Sequence, residues 1–334
     1  MQQEVITSVQ NPRIKQLLAL QQKSSERRKS GLFVVEGQRE LQHCVDAGLQ
    51  IDAIFWCEEM APQLSSYLLP LTPHLITVNP YVYDKIAYRG STEGVIAVVK
   101  TPNLTLSSLP IEGGQEGGLP LFIVLERVEK PGNLGAVLRS ADAAGVDAVI
   151  VCDPLTDLYN PNLIRSSIGA IFTVPIVACT SEECIAWLKQ HHVQILTAQL
   201  QDSKFYYDTD MTCPTAIVMG TEATGLTPVW REAADAHIRI PMLGRLDSLN
   251  VSVSAAILMF EAVRQRQKYK SNVSARWRKC FGHKSNVSAR WRKCFGHKIT
   301  FPLFGGNASG IKVTFPLSGG NAVFFILQRP FLRL

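Results

Sequence analysis

The residues able to do chemistry fall in three short stretches of the second half of the chain. The first is RVEKPGN, residues 127–133, which leads into NLGAVLRSADAAG and carries Asn133 and Arg139. Asn133 reads as the N-cap of the helix that follows, with Pro131 and Gly132 setting the entry. Leu134, Val137, Leu138 and Ala141 recur at helical spacing. At roughly 100° per residue, Arg139 lies about 150° from the centre of that apolar stripe and points away from its own core. A lone outward arginine is ordinarily a solvated charge, so its meaning depends on the other two stretches.

The second stretch is MGTEATGL, residues 219–226. Gly220 and Gly225 have the spacing of a phosphate loop, but Leu226 and Thr227 stand where Lys and Ser/Thr are required. No GxGxxG follows the first strand of this half either, so a nicotinamide-dependent oxidoreductase lacks its fingerprint. Two readings of the glycines remain: a strand-to-helix turn needing positive φ, or a backbone cradle for a ligand with Glu222 available to hydrogen-bond. The third stretch is IPMLGRLDSLNVSVSAAI, residues 240–257. Ser248 is expected to cap a helix, and Asn250 and Ser252 add polar groups to its first turn. Val251, Val253, Ala255, Ala256, Ile257, Leu258 and Phe260 cover every side of that helix. It is either buried all round, small residues permitting close backbone approach, or shared between a core and a partner subunit.

These stretches need a scaffold, and the apolar runs supply one. LFIVLE (121–126), VDAVIV, VQILTA (193–198), TAIVMG (215–220) and AHIRIP (236–241) read as strands with helices between them. That order predicts a parallel sheet covered on both faces. Ligands of such sheets bind outside the carboxyl ends of the strands, which is where the three stretches lie. Residues 1–100 alternate helical and strand patterns: NPRIKQLLALQQ, GLFVVEG, QRELQHCVDAG ended by Gly48, IDAIFWC and GVIAVVK. They predict a small α/β domain, joined by a Pro-, Gly- and Ser-rich linker at 101–119 to a second domain at 120–269. The first thirty residues carry Arg13, Lys15, Lys23, Arg27, Arg28 and Lys29 against Glu4 and Glu26 only. Such a patch is a solvated helix face or a contact to phosphates.

The formal charge of +6 misleads unless divided. Eleven of the 34 basic residues and none of the 28 acidic ones lie at 271–334, so the rest of the chain carries 23 against 28 and is net −5. Nucleic-acid binding must therefore rest on local patches. The same tail repeats SNVSARWRKCFGHK without change at 271–284 and 285–298, then TFPLFGGNA from 300 and TFPLSGGNA from 314. The period fits no known solenoid, so residues 270–334 are expected to be a non-native, disordered or poorly packed extension; the functional alternative is a basic arm whose Trp277 and Trp291 stack on RNA. Cys44, Cys57, Cys152, Cys179, Cys184, Cys213, Cys280 and Cys294 show no CxxC spacing, which predicts reduced structural thiols and no metal site. At 46% hydrophobic and 19% charged residues, with no apolar run of membrane-spanning length, the expectation is a soluble cytoplasmic protein.

Taken in order, LERVEKPGNLGAVLRSADAAG, IVMGTEATGL and IPMLGRLDSLNVSVSAAI resemble the three motifs of the SpoU-type, or TrmH-like, RNA 2′-O-ribose methyltransferases of the SPOUT superfamily, over residues 120–268. FVVEGQRE and GVIAVVK resemble the ribosomal-protein-like substrate domain that many members carry. The resemblance implies an α/β SPOUT-type parallel sheet with a C-terminal trefoil knot, a rare exception to unknotted topology. It implies S-adenosylmethionine bound in a bent form by the knot loops, an RNA substrate, a homodimer through the knot domain, and no metal. By position, Met219, Gly220, Ile240, Met242 and Leu249 hold the cofactor, largely through backbone groups. Arg139, Asn133, Glu222, Ser248 and Asn250 are the implied catalytic residues, with the arginine of one subunit completing its neighbour's site. Whether Arg139 acts as the base or as an electrostatic activator stays open, because a guanidinium is a poor proton acceptor. Ribosomal RNA is favoured by the extra N-terminal domain and transfer RNA is the alternative. A noncatalytic RNA-binding protein of the same fold is a further reading, against which the intact set of five residues argues.

Overall fold

The computed structural model describes residues 4–63, 74–88, 93–111, 119–221, 224–281, 310–316 and 322–328. The N-terminal elements are β1 (Glu4–Ile6), α1 (Pro12–Gln22), α2 (Ser24–Ser30), β2 (Leu32–Glu36), α3 (Gln38–Asp46), β3 (Ile51–Trp56), β4 (Leu75–Val78), α4 (Pro80–Ile86) and β5 (Val95–Lys100). α1 and α4 each begin with proline at the first turn, and the Asn11 and Asn79 side chains accept from the Arg13 and Val82 backbone N–H groups. Both devices satisfy or remove donors that a helix start leaves unpaired. The sheet runs β1-β4-β3-β5-β2, with β5 antiparallel to β2 and β3. It is the α/β arrangement expected, with β1 and β4 added: at three and four residues they are too short for alternation to stand out.

The second sheet follows from β6 (Leu121–Glu126), α5 (Pro131–Ala144), β7 (Ala148–Cys152), α6 (Pro161–Ser167), α7 (Ala170–Thr173), β8 (Ile176–Cys179), α8 (Ser181–Gln190), β9 (Gln194–Ala198), β10 (Lys204–Phe205), β11 (Thr215–Met219), α9 (Pro228–Ala233), β12 (Ala236–Arg239) and α10 (Val251–Phe281). Its order is β10-β12-β9-β11-β6-β7-β8, and every pairing is parallel. β6, β7 and β11 are buried at every residue, as continuous apolar runs require. Side chains alternate between faces. Leu121, Ile123 and Leu125 pack with Leu134, Val137 and Leu138 of α5 and Ala255 and Leu258 of α10, whereas Phe122 and Val124 pack with Leu188 of α8 and Trp230 of α9. Arg266 ties α10 to the sheet by donating to the carbonyls of Leu119, Pro120, Met211 and Cys213, and burial pulls its guanidinium below the ordinary arginine value.

Residues 1–266 pack as one unit, and the core under β2, β3 and β5 is continuous with that under β6 and β7. The 101–119 segment joins the two sheets, whose facing sides share that core, while Ile14, Leu17, Val34, Phe55 and Val98 form a further cluster on the other side of the first sheet. Phe33 of β2 stacks on Tyr159 with ring centroids 4.5 Å apart. Beside it Arg27 is 5% exposed, and its Nε donates to Asp157 at 2.6 Å while Nη1 donates to the carbonyls of Leu20 and Gln21. This corrects one expectation: Arg27 does not face phosphates, because its charge is committed to Asp157. Arg13, Lys15, Lys23, Arg28 and Lys29 are exposed. Removing one member of a buried ion pair strands the other, at a cost of about 3–5 kcal/mol. Arg27→Ala is expected to lower the unfolding free energy by about that much; a urea midpoint equal to wild type would refute the role of this pair.

Residues 267–334 form a second unit, whose boundary falls within α10. There β13 (Gly310–Pro316) pairs antiparallel with β14 (Ala322–Gln328). GIKVTFP and AVFFILQ are rich in β-branched and aromatic residues, which fit a pleated ribbon. Among the described residues no helix is long and apolar enough to cross a membrane.

Candidate active site

The carboxyl ends of β11 and β12 open onto a cavity of about 370 Å³. Met219, Gly220, Ile240, Met242 and Leu249, all five residues expected to hold a cofactor, line it, and so does Ser248. Two segments that are distant in sequence line it, residues 219–221 with 224–226, and Ile240, Met242 and Asp247 to Leu249. Gly220 lets the first of these segments fold tightly on itself: a Cβ there would lie 2.3 Å from the carbonyl carbon and 2.4 Å from the oxygen of Gly225, distances that no side chain tolerates. Gly225 itself has φ of 67°, the left-handed turn read from the sequence. The tight-turn reading of this loop is thus realised.

The cavity falls in the range of small-molecule sites, about 300–1,000 Å³, and mixes apolar walls with a few polar groups. Leu258, Ile238 and Ile240 offer apolar surface, while Gln199, Thr221 and Asp247 offer hydrogen-bonding groups. This donor set suits a nucleoside carrying a charged chain. Sequence reasoning missed Gln199, Arg231, Arg239, Asp247 and Ser254 as wall residues. Only the strand order, which places β9 beside β12, brings Gln199 there.

The remaining catalytic candidates form a second group. Asn250 Nδ2 donates to Asn133 Oδ1 at 3.1 Å, joining the first turns of α10 and α5. Asn250 also accepts from the Ser252 backbone N–H at 2.9 Å and from the Ser252 hydroxyl, so it caps α10 in place of Ser248. Ser248 lies two residues too early and faces the cavity instead. Asn133 is likewise not the cap of α5: that helix starts at Pro131 with Lys130 as N-cap, since proline suits the first helical position. Arg139 is exposed, as its helical position requires, and does not line the cavity. Glu222 lies outside the described residues. α10 is not buried all round: Val251, Ala255, Leu258, Met259 and Ala262 are buried, whereas Val253 and Phe260 are each 47% exposed.

At the end of β6, Glu126 is a supporting residue that sequence reasoning passed over. It is 1% exposed and accepts from the Thr227 backbone N–H at 2.9 Å and from the Thr227 hydroxyl at 2.5 Å. It ties the first stretch to the end of the second, and the signal for it was a carboxylate closing an otherwise apolar strand.

Comparison with known proteins agrees with this geometry. The sequence model of the SpoU rRNA methylase family matches residues 120–260, and that of the MRM3-like substrate binding domain matches residues 11–97. A 23S rRNA (uridine(2479)-2′-O)-methyltransferase of Streptomyces viridochromogenes is 31% identical over 271 residues, covering 78% of this chain and 92% of its own. A crystal structure of an RNA 2′-O ribose methyltransferase is 38% identical with a TM-score of 0.67, over 79% of this chain and 99% of its own. The S-adenosylmethionine-bound rRNA methyltransferase from Sinorhizobium meliloti is 29% identical with a TM-score of 0.72, over 79% of this chain and 98% of its own.

Proposed function

Because the chain belongs to the SpoU rRNA methylase family, we propose that it transfers the methyl group of S-adenosylmethionine to a ribose 2′-hydroxyl of ribosomal RNA. The observation that carries this reading is the cavity at the carboxyl ends of β11 and β12, whose walls hold Met219, Gly220, Ile240, Met242, Leu249 and Ser248 together. The SPOUT-type knot belongs to the same proposal, supported by Gly220, Thr221 and Gly225 meeting Met242, Ser248 and Leu249 around one cavity. The cytoplasmic setting rests on the RNA substrate.

S-adenosylmethionine, when bound, supplies a methyl group already activated as a sulfonium. The protein's part is to align the ribose oxygen with that methyl group and to ease loss of the hydroxyl proton. Arg139 is the residue assigned to the second task, its positive charge favouring the alkoxide, alone or with a substrate phosphate. The Asn133–Asn250 hydrogen bond fixes the start of the Arg139 helix against the start of α10. Because Arg139 is exposed and lies off its own cavity, it serves the site of a second subunit. The exposed Val253 and Phe260, seven residues apart on one side of α10, support a homodimer through that helix. Next to this stripe Glu261 accepts two hydrogen bonds from Arg264 at 2.7 Å, and that pairing holds its carboxyl below the usual range.

Phe260→Glu is expected to convert the dimer to a monomer and to abolish methyl transfer while leaving cofactor binding in place, read by sedimentation velocity and calorimetry. A variant that stays dimeric, or a monomer of full activity, would overturn the shared site. The reaction itself is tested with labelled S-adenosylmethionine and unmodified rRNA and tRNA, followed by alkaline cleavage. A methylated ribose lacks the free 2′-hydroxyl that cleavage needs, so the expected result is one gap in an rRNA ladder. Label with an unbroken ladder, or no transfer, would refute ribose methylation; a gap in tRNA alone would reassign the substrate.

A further inference from the structure

Cysteines with no informative spacing in the sequence meet in space. Cys152 ends β7, Cys179 ends the neighbouring β8 as its direct parallel partner, and Cys184 lies in the first turns of α8. Their three Sγ atoms all lie within 4.8 Å of one another, with Cys152 and Cys179 at 3.9 Å. Cys152 and Cys184 are fully buried and Cys179 is half-buried, which leaves one approach from solvent.

We propose that Cys152, Cys179 and Cys184 form a three-thiolate site for a thiophilic d10 metal ion of the zinc(II) class. Zinc–thiolate bonds of about 2.3 Å in a tetrahedral arrangement put sulfur atoms about 3.8 Å apart, so the Cys152–Cys179 pair already has the required separation and the third sulfur needs to move less than about 1 Å. Three elements converge on one point, and with three protein ligands a water would complete a tetrahedral shell. Binding replaces three S–H protons by one dication, releasing up to three protons and leaving one net negative charge. Asp153, which accepts from Ser181 at 2.6 Å, and the exposed Glu183 both act electrostatically on Cys179, a field that draws a cation inward. The site lies on the α8 face of the sheet, whereas the proposed cofactor cavity is walled by α10, so it serves stability or metal response rather than methyl transfer.

The test uses the full chain carrying Cys280→Ser and Cys294→Ser, which removes the thiols of the tail. After anaerobic reduction it is titrated with cobalt(II) as the spectroscopic probe, then with zinc(II) as competitor. The expected result is a sulfur-to-cobalt charge-transfer band that saturates at one equivalent, is displaced by zinc and is lost in Cys179→Ser. Cys179 is half-buried, so that variant keeps its fold, checked by circular dichroism; Cys213→Ser should leave the band unchanged. In the protein with Cys179 intact, zinc should also protect this residue from iodoacetamide and raise the unfolding midpoint, and the rise in midpoint should vanish in Cys179→Ser. No band, or a band that survives Cys179→Ser, would overturn the site and leave the three residues as packed core thiols.

Discussion

Arg139→Ala should lower the turnover of methyl transfer by about 10²–10⁴-fold while leaving the affinity for S-adenosylmethionine unchanged, the range observed when a group that assists proton removal is lost. The split between the two readouts follows from position. Arg139 is exposed on α5 and takes no part in the cavity wall formed by Met219, Gly220, Ile240, Met242 and Leu249, so its removal disturbs neither core nor cofactor contacts. Single-turnover kinetics and calorimetry on the same preparation separate the two. Arg139→Lys distinguishes the roles left open by chemistry. If charge alone favours the alkoxide, lysine restores much of the rate; if the planar guanidinium must bridge the hydroxyl and a phosphate, it restores little. Full activity in Arg139→Ala would remove the residue from the mechanism.

Gly220→Ala should weaken S-adenosylmethionine binding by roughly 10–100-fold, because the added methyl overpacks the loop at a cost of about 1–3 kcal/mol and each 1.4 kcal/mol is tenfold in affinity. The neighbours it would strike are backbone atoms, Gly225 at 2.3 and 2.4 Å and the Leu226 nitrogen at 2.5 Å, so no rotamer change relieves the clash and the 219–226 segment must shift. Gly132→Ala is the matched control, since a Cβ at that position meets nothing within 4 Å. Equal affinity in both variants would show that the 219–226 loop is not the cradle.

The sequence made the parallel sheet legible because β6, β7 and β11 are near-continuous apolar runs, a pattern that survives any error in their ends. It was less informative where a cap decides a boundary. Asn133 and Ser248 both have capping chemistry, yet Pro131 starts α5 two residues before the first and Asn250 takes over from the second. Capping propensity names a residue type, whereas the cap is set by which side chain reaches a free N–H. Short elements were missed for a similar reason: three or four residues carry too little periodicity to register, as with β1, β4 and β8.

By itself the sequence determined the order of the strands along the chain, the three chemically charged loops at their ends, and the outward turn of Arg139, because each depends only on spacing along one element. Tertiary structure decided what lies beside what. The strand order put Gln199 into the wall with Gly220 and Ile240, and brought Cys152, Cys179 and Cys184 within 4.8 Å of one another. It also committed Arg27 to Asp157 and left Phe260 half exposed on a helix whose sequence is apolar all round. Burial and pairing are properties of neighbours from distant parts of the chain, and no local pattern encodes which of several apolar or charged faces the rest of the molecule will cover.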